Sequence, residues 1–120
     1  MNPTVLIVDD HSGFRSWTRS LLETEGFPVI GEAADGNSAL ATARALRPEL
    51  VLLDVMLSDT TGFVVAQELA RLPRPPAVIL VSSREATDFG DAIDRSPALG
   101  FISKLELSGS RLRALLGASS

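Results

Sequence analysis

The chain has 120 residues, 15 acidic and 11 basic side chains, a formal charge of −4 and no cysteine. That length holds one compact domain with a core, and a hydrophobic fraction of 45% excludes intrinsic disorder. Without cysteine there is no disulfide framework, thiol nucleophile or thiolate metal site, and the acidic balance argues against direct binding of nucleic-acid phosphates.

Short apolar runs alternate with longer stretches of helical spacing along the whole chain. Val5-Leu6-Ile7-Val8 is the first run, far short of the ~20 residues that span a bilayer, and Met1 to Thr4 carry no basic residue. A soluble, cytoplasmic protein with no membrane contact is the expectation. Phe14, Trp17, Thr18, Leu21 and Leu22 then repeat at helix spacing, with Gly26 placed where a helix ends. Val29 to Ala34 is a second strand, followed by a helical stripe of Leu40, Ala43 and Leu46 that stops at Pro48. Leu50 to Leu53 is a third strand, and Phe63, Ala66, Leu69 and Ala70 form a third stripe ended by Pro73.

Ala77 to Val81 is the fourth strand. The first, third and fourth runs are apolar at consecutive positions, as in strands covered on both faces. Arg84 to Ala98 is the weakest helix, with Phe89, Ala92 and Ile93 as its only good apolar contacts, and is expected to be short and mobile. Gly100 to Ile102 is a fifth strand, and Leu112, Leu115 and Leu116 give the last helical stripe. Five strands alternating with five helices imply an α/β domain over residues 1–120 with a parallel sheet and right-handed crossovers. The flavodoxin-like strand order 2-1-3-4-5 is expected, with a ligand site at the carboxyl ends of the strands.

Polar residues follow nearly every strand: Asp9 and Asp10 the first, Asp54 the third, Ser82 and Ser83 the fourth, and Lys104 the fifth. In the expected order these strands are neighbours, so three carboxylates, a hydroxyl and the chain's single lysine converge on one sheet edge. At ~4 Å and an effective dielectric of ~20, each carboxylate pair costs about 4 kcal/mol. Protonation or a bound cation must relieve that repulsion. Hard oxygen donors that leave room for water and a phosphate oxygen suit Mg2+, and a carboxylate beside it suits nucleophilic attack on a phosphoryl group. His11, beside the acidic pair, is read as a solvent-facing loop residue rather than a metal ligand. Ser83 is read as a turn cap, and Trp17 as core or half-buried surface.

Asp9-Asp10, Asp54 after Val51-Leu52-Leu53, Gly62-Phe63, Ser82 after Val78 to Val81, and Phe101-Ile102-Ser103-Lys104 together resemble the receiver domain of bacterial two-component response regulators, across essentially the whole chain. The resemblance implies that Asp54 accepts phosphate from the phosphohistidine of a histidine kinase or a phosphotransfer protein. It implies Mg2+ held by Asp10, Asp54 and the Met56 backbone carbonyl, with Asp9 acting mainly through a bound water. Ser82 would hydrogen-bond the phosphoryl group, Lys104 would pair with it, and Phe101 would stand at the aromatic switch position. Met56 and Arg84 occupy the positions that tune dephosphorylation, and their bulk implies slow hydrolysis. The product would be a self-phosphorylating phosphoacceptor rather than a turnover enzyme, signalling through the fourth-helix and fifth-strand face, with a homodimer through the fourth and fifth helices as a family option.

Two departures stand out, Ser58 and Leu105, each where the family commonly has proline. They favour a phosphorylation-independent interaction domain of the same fold as the first alternative, against which the retention of all five site residues counts. A Mg2+-dependent phosphohydrolase is the second, weakened because Asp9 to Phe14 contains one glycine and no phosphate-cradling loop. Phe101 to Lys104 resembles receivers joined to helix-turn-helix outputs. Gly117 to Ser120 are too few for such an output, so it is expected in a partner or in a longer product of which this chain is the amino-terminal piece.

Overall fold

A computed structural model describes residues 2–118, and for Ala118 the backbone alone. The elements, in chain order, are β1 (Val5–Val8), α1 (Ser12–Thr24), β2 (Val29–Ala33), α2 (Gly36–Leu46), β3 (Leu50–Asp54), α3 (Gly62–Leu69), β4 (Ala77–Ser82), α4 (Ala92–Arg95), β5 (Gly100–Ser103) and α5 (Gly109–Ala118). The strands form one parallel sheet in the order β2-β1-β3-β4-β5, as the alternation of strand and helix patterns requires. β1 and β3 are buried at every position, which is why they read as unbroken apolar runs.

Alternate side chains of each strand enter two separate cores. Leu6, Val8, Val51, Leu53, Val78 and Leu80 face α2 and α3, where they meet Leu40, Ala43, Val65 and Leu69. Val5, Ile7, Leu50, Leu52, Ile79 and Val81 face α1 and α5, where they meet Leu22, Phe27 and Leu112. Helices therefore cover both faces, and the ends of the strands are left for polar groups.

Local sequence explains where most elements stop. α1 ends as Gly26 takes a φ of 89°, and the Phe27 N–H closes on the Leu22 carbonyl at 2.8 Å. α2 begins at a capping box in which the Asp35 carboxylate accepts from the Ser38 N–H at 2.8 Å. It ends at Arg47, held left-handed at φ 52° just before Pro48. The segment expected to be the weakest helix splits into a 3-10 turn at Ala86–Phe89 and the four-residue α4, separated by Gly90 at φ 58°. No residue of either piece is buried.

One tie between elements was not read from the sequence. Asp59, in the loop after β3, accepts from the backbone N–H groups of Gly36 at 2.9 Å and Asn37 at 3.1 Å, which are free donors at the start of α2. Asp59→Ala is expected to lower stability by about 1 kcal/mol, the usual worth of a helix cap. An unchanged denaturation midpoint would remove Asp59 from that role.

Candidate functional site

Each candidate residue leaves the sheet at a strand end. Asp9 directly follows β1, and its N–H still pairs with the Ala33 carbonyl of β2 at 3.1 Å. Its carboxylate is fully buried, at 0% exposure. Asp54 is the last residue of β3 and is 4% exposed. Lys104 follows β5, with its side chain 16% exposed. Asp10 sits at the rim, exposed.

The ammonium of Lys104 lies 2.6 Å from Asp9 Oδ2 and 3.4 Å from Asp54 Oδ2. Asp9 Oδ2 is buried with no aligned hydrogen-bond donor among the described residues, so the ammonium is its counter-charge. Asp9 Oδ1 turns the other way and accepts from the His11 N–H at 2.8 Å. Asp54 Oδ1 accepts from the Met56 N–H at 3.2 Å.

One cation cannot balance two buried carboxylates equally. Burial alone would raise the Asp9 carboxyl, but Lys104 and the His11 N–H outweigh it and hold the group below its ordinary value. Asp54 takes the opposite course, pushed up to about 6 by burial and by the neighbouring Asp9 charge, with Lys104 offsetting only part of that rise. The arrangement is thus short of positive charge. Asp9, Asp10, His11 and Asp54 offer ligand atoms that all lie within 4.8 Å of one another. An oxygen-rich, under-neutralised set of this kind fits a hard divalent cation.

The remaining sequence candidates are placed around this centre. Ser82, at the end of β4, is 2% exposed, and its Oγ accepts from the Arg84 N–H at 3.0 Å. The turn is therefore capped by Ser82, where the sequence pointed to Ser83; Ser83 itself is exposed. Met56 and Arg84 are both exposed beside the mouth of the site. Phe101 is half-buried against the α2/α3 core, and its ring lies 5.9 Å from that of Phe89, which in turn lies 5.7 Å from Phe63. Leu105, where the family commonly has proline, is 92% exposed.

Two neighbours were missed, Phe14 and Arg15, and Gly62 was singled out in the sequence without its contact. Phe14 reads as part of the apolar stripe of α1, yet its ring carries the Lys104 ammonium at 4.2 Å from the centroid. Arg15 donates to the Asp9 backbone carbonyl at 2.6 Å and is steadied by Glu32 at 3.1 Å, so it braces the acidic loop from behind. Gly62 fits where no other residue does. A Cβ there would lie 2.5 Å from the Asp54 carbonyl oxygen and 3.0 Å from Val55 Cα, so α3 starts directly on the backbone at the end of β3. Its N–H donates to the Val55 carbonyl at 2.6 Å. Helical periodicity and residue type marked Phe14 and Gly62, but no sequence signal says which strand end they face.

The model of the response regulator receiver domain family matches residues 5–116. The chain belongs to that family. Among curated relatives, it is 35% identical over 101 residues to the response regulator GacA of Pseudomonas aeruginosa, covering 83% of this chain and 47% of that protein. It is 36% identical over 128 residues to a protein-glutamate methylesterase/protein-glutamine glutaminase of Anaeromyxobacter dehalogenans, covering 94% of this chain and 36% of the relative. The chain thus spans about half the length of GacA and about a third of the methylesterase. A solved receiver domain from Methylobacillus flagellatus superposes with a TM-score of 0.84 over 100% of both chains, at 23% identity, which is a likeness of fold. Receivers of this family are generally phosphoacceptors that bind Mg2+ at an acidic pocket, and the aspartate cluster here lies at that sheet edge. No helix among the described residues is long and apolar enough to cross a membrane.

Proposed function

We propose that this receiver accepts a phosphoryl group on Asp54 from the phosphohistidine of a sensor histidine kinase or phosphotransfer protein, with Mg2+ held by Asp10, Asp54 and the Met56 carbonyl and with Asp9 acting through a bound water. The observation that carries the reading is the pairing of a nearly buried Asp54 with a single ammonium that it shares with Asp9. An Asp54 carboxylate oxygen attacks phosphorus, the P–N bond breaks, and the imidazole leaves with the electron pair and takes a proton from solvent. Bound Mg2+ supplies Lewis-acid charge to the phosphoryl oxygens. Lys104 supplies the second positive charge, oriented by the Phe14 ring and by Asp9 Oδ2.

Ser82 Oγ already accepts one hydrogen bond, from Arg84, so its own proton is available to a phosphoryl oxygen. A phosphoryl group adds charge of about −2 and three acceptors, enough to draw this hydroxyl and the lysine toward it. Phe101, packed on Phe89 of the mobile-prone turn, then changes its packing and passes the event to the α4/β5 face. That face suits an output contact because neither α4 nor the preceding turn has a buried residue to hold it in one position. A homodimer through α4 and α5 is one use of it. DNA contact is assigned to a separate output domain or partner, in keeping with the net charge of −4.

Incubation with Mg2+ and a small-molecule phosphodonor, read by intact mass, is expected to give a single phosphoryl adduct. No adduct on the wild type would sink the proposal. The exposed Met56 and Arg84 flank the position from which water attacks, so the adduct is expected to persist for minutes or longer. Complete loss of phosphate within seconds would count against that part, and Met56→Asn with Arg84→Ala should shorten the lifetime.

A further inference from the structure

The oxygen donors of the proposed cation site have one nitrogen donor beside them. That nitrogen belongs to His11. Its imidazole Nδ1 lies 3.1 Å from Asp9 Oδ1 and 3.0 Å from Asp10 Oδ1, on the side of Asp9 away from Lys104. Neighbouring donors in an octahedral shell with ligands at about 2.1 Å stand about 3.0 Å apart. Both are hydrogen-bonding distances, and the 3.0 Å to Asp10, a proposed ligand, is also the spacing of one ligand from the next around a shared ion, so Nδ1 can exchange its carboxylate partner for the ion. Its backbone is fixed by its own N–H on Asp9 Oδ1 at 2.8 Å, while the side chain is 72% exposed and, among the described residues, held only by these two carboxylates.

We propose that His11 Nδ1 is a ligand in this site, so that the receiver takes borderline divalent ions such as Zn2+ as well as Mg2+. The inference rests on the Asp9, Asp10 and Asp54 cation site. A neutral imidazole adds little for Mg2+, which prefers oxygen and keeps its waters, but it adds much for an ion that favours nitrogen. The effect of His11 is thus on selectivity between metals rather than on total affinity for all of them.

The chain has one histidine and no cysteine, so a single labelled imidazole reports the whole nitrogen and thiolate complement. With the untagged protein labelled with [15N]histidine, Zn2+ is expected to shift the Nδ1 resonance, and saturating Mg2+ to reverse that shift. Calorimetric titration of each ion should show His11→Gln and His11→Ala lowering the preference for Zn2+ over Mg2+ on the order of tenfold. Mg2+ affinity should change by about twofold or less. The exposed side chain makes disruption of packing by either variant a minor effect, and near-identical melting in metal-free buffer would verify that. Zn2+ binding with no shift at Nδ1 and an unchanged preference in both variants would overturn the role of His11 alone. Failure of the wild type to bind either ion, or Mg2+ binding unaffected by Asp54→Asn, would overturn the cation site itself.

Discussion

In metal-free buffer at pH 8, Asp54→Asn should unfold at a higher temperature than the wild-type domain while giving no phosphoryl adduct at all. The two results have one cause. Raising the Asp54 carboxyl from its ordinary 3.8 to about 6 corresponds to about 3 kcal/mol of unfavourable interaction for the ionised form. The folded state holds the Asp54 proton more tightly than the unfolded chain does. Its contribution to stability is therefore fully present below about pH 4 and is lost as pH rises through about 6. Asparagine does not titrate, so the advantage of the variant should open across that interval and close again near pH 4. Melting curves at pH 4, 6 and 8 check the sign. Equal stability of the two proteins at every pH would mean that the carboxylate is not under strain, and an adduct on the variant would move the acceptor elsewhere.

Lys104→Met should act in the opposite direction and by a similar amount. Methionine keeps an apolar stem against the Phe14 ring but leaves Asp9 and Asp54 with no lysine or arginine within ion-pair distance among the described residues. Removing one partner from a buried pair costs about 3 kcal/mol or more. In denaturant titrations without metal the variant should be correspondingly less stable. Added Mg2+ should recover more stability in the variant than in the wild type, because the ion then supplies most of the missing charge. Transfer from a small-molecule phosphodonor should fall on the order of a hundredfold, the scale seen when one donor to a developing negative charge is lost. Wild-type stability in Lys104→Met without metal would show that the ammonium is not the counter-charge.

The sheet was legible because its central strands are buried on both faces. Val5 to Val8 and Leu50 to Leu53 have no polar position at which a half-exposed strand would show itself. The strand ends were legible for the same reason, since Asp9 and Asp54 interrupt apolar runs abruptly. What sequence could not supply was direction. Phe14 follows the helical period of α1 and reads as core, but whether its ring meets a leucine or an ammonium depends on where β5 ends. His11 reads as a solvated loop residue, and it is solvated; the turn of its Nδ1 onto two carboxylates is a rotamer, which periodicity does not encode. Asp59 reaches α2 across 23 residues of chain, a contact that exists only after the two βα units have packed. The split of the fourth helical segment follows from Gly90, whose positive φ ends one turn before the next begins.

The bare Cα of Gly62 has a mechanical consequence. Because α3 starts directly against the main chain of Asp54 and Val55 and is tied to it by the Gly62 N–H, the end of β3 and that helix are expected to move as one wall. Across the cleft, the run from Ser83 to Asp88 has no buried side chain to resist displacement. Under the proposed phosphorylation of Asp54, the new charge would draw the compliant side toward the unyielding one. The strand-to-helix junction at Gly62 would then act as an anchor, with the direction of closure set by the fold itself.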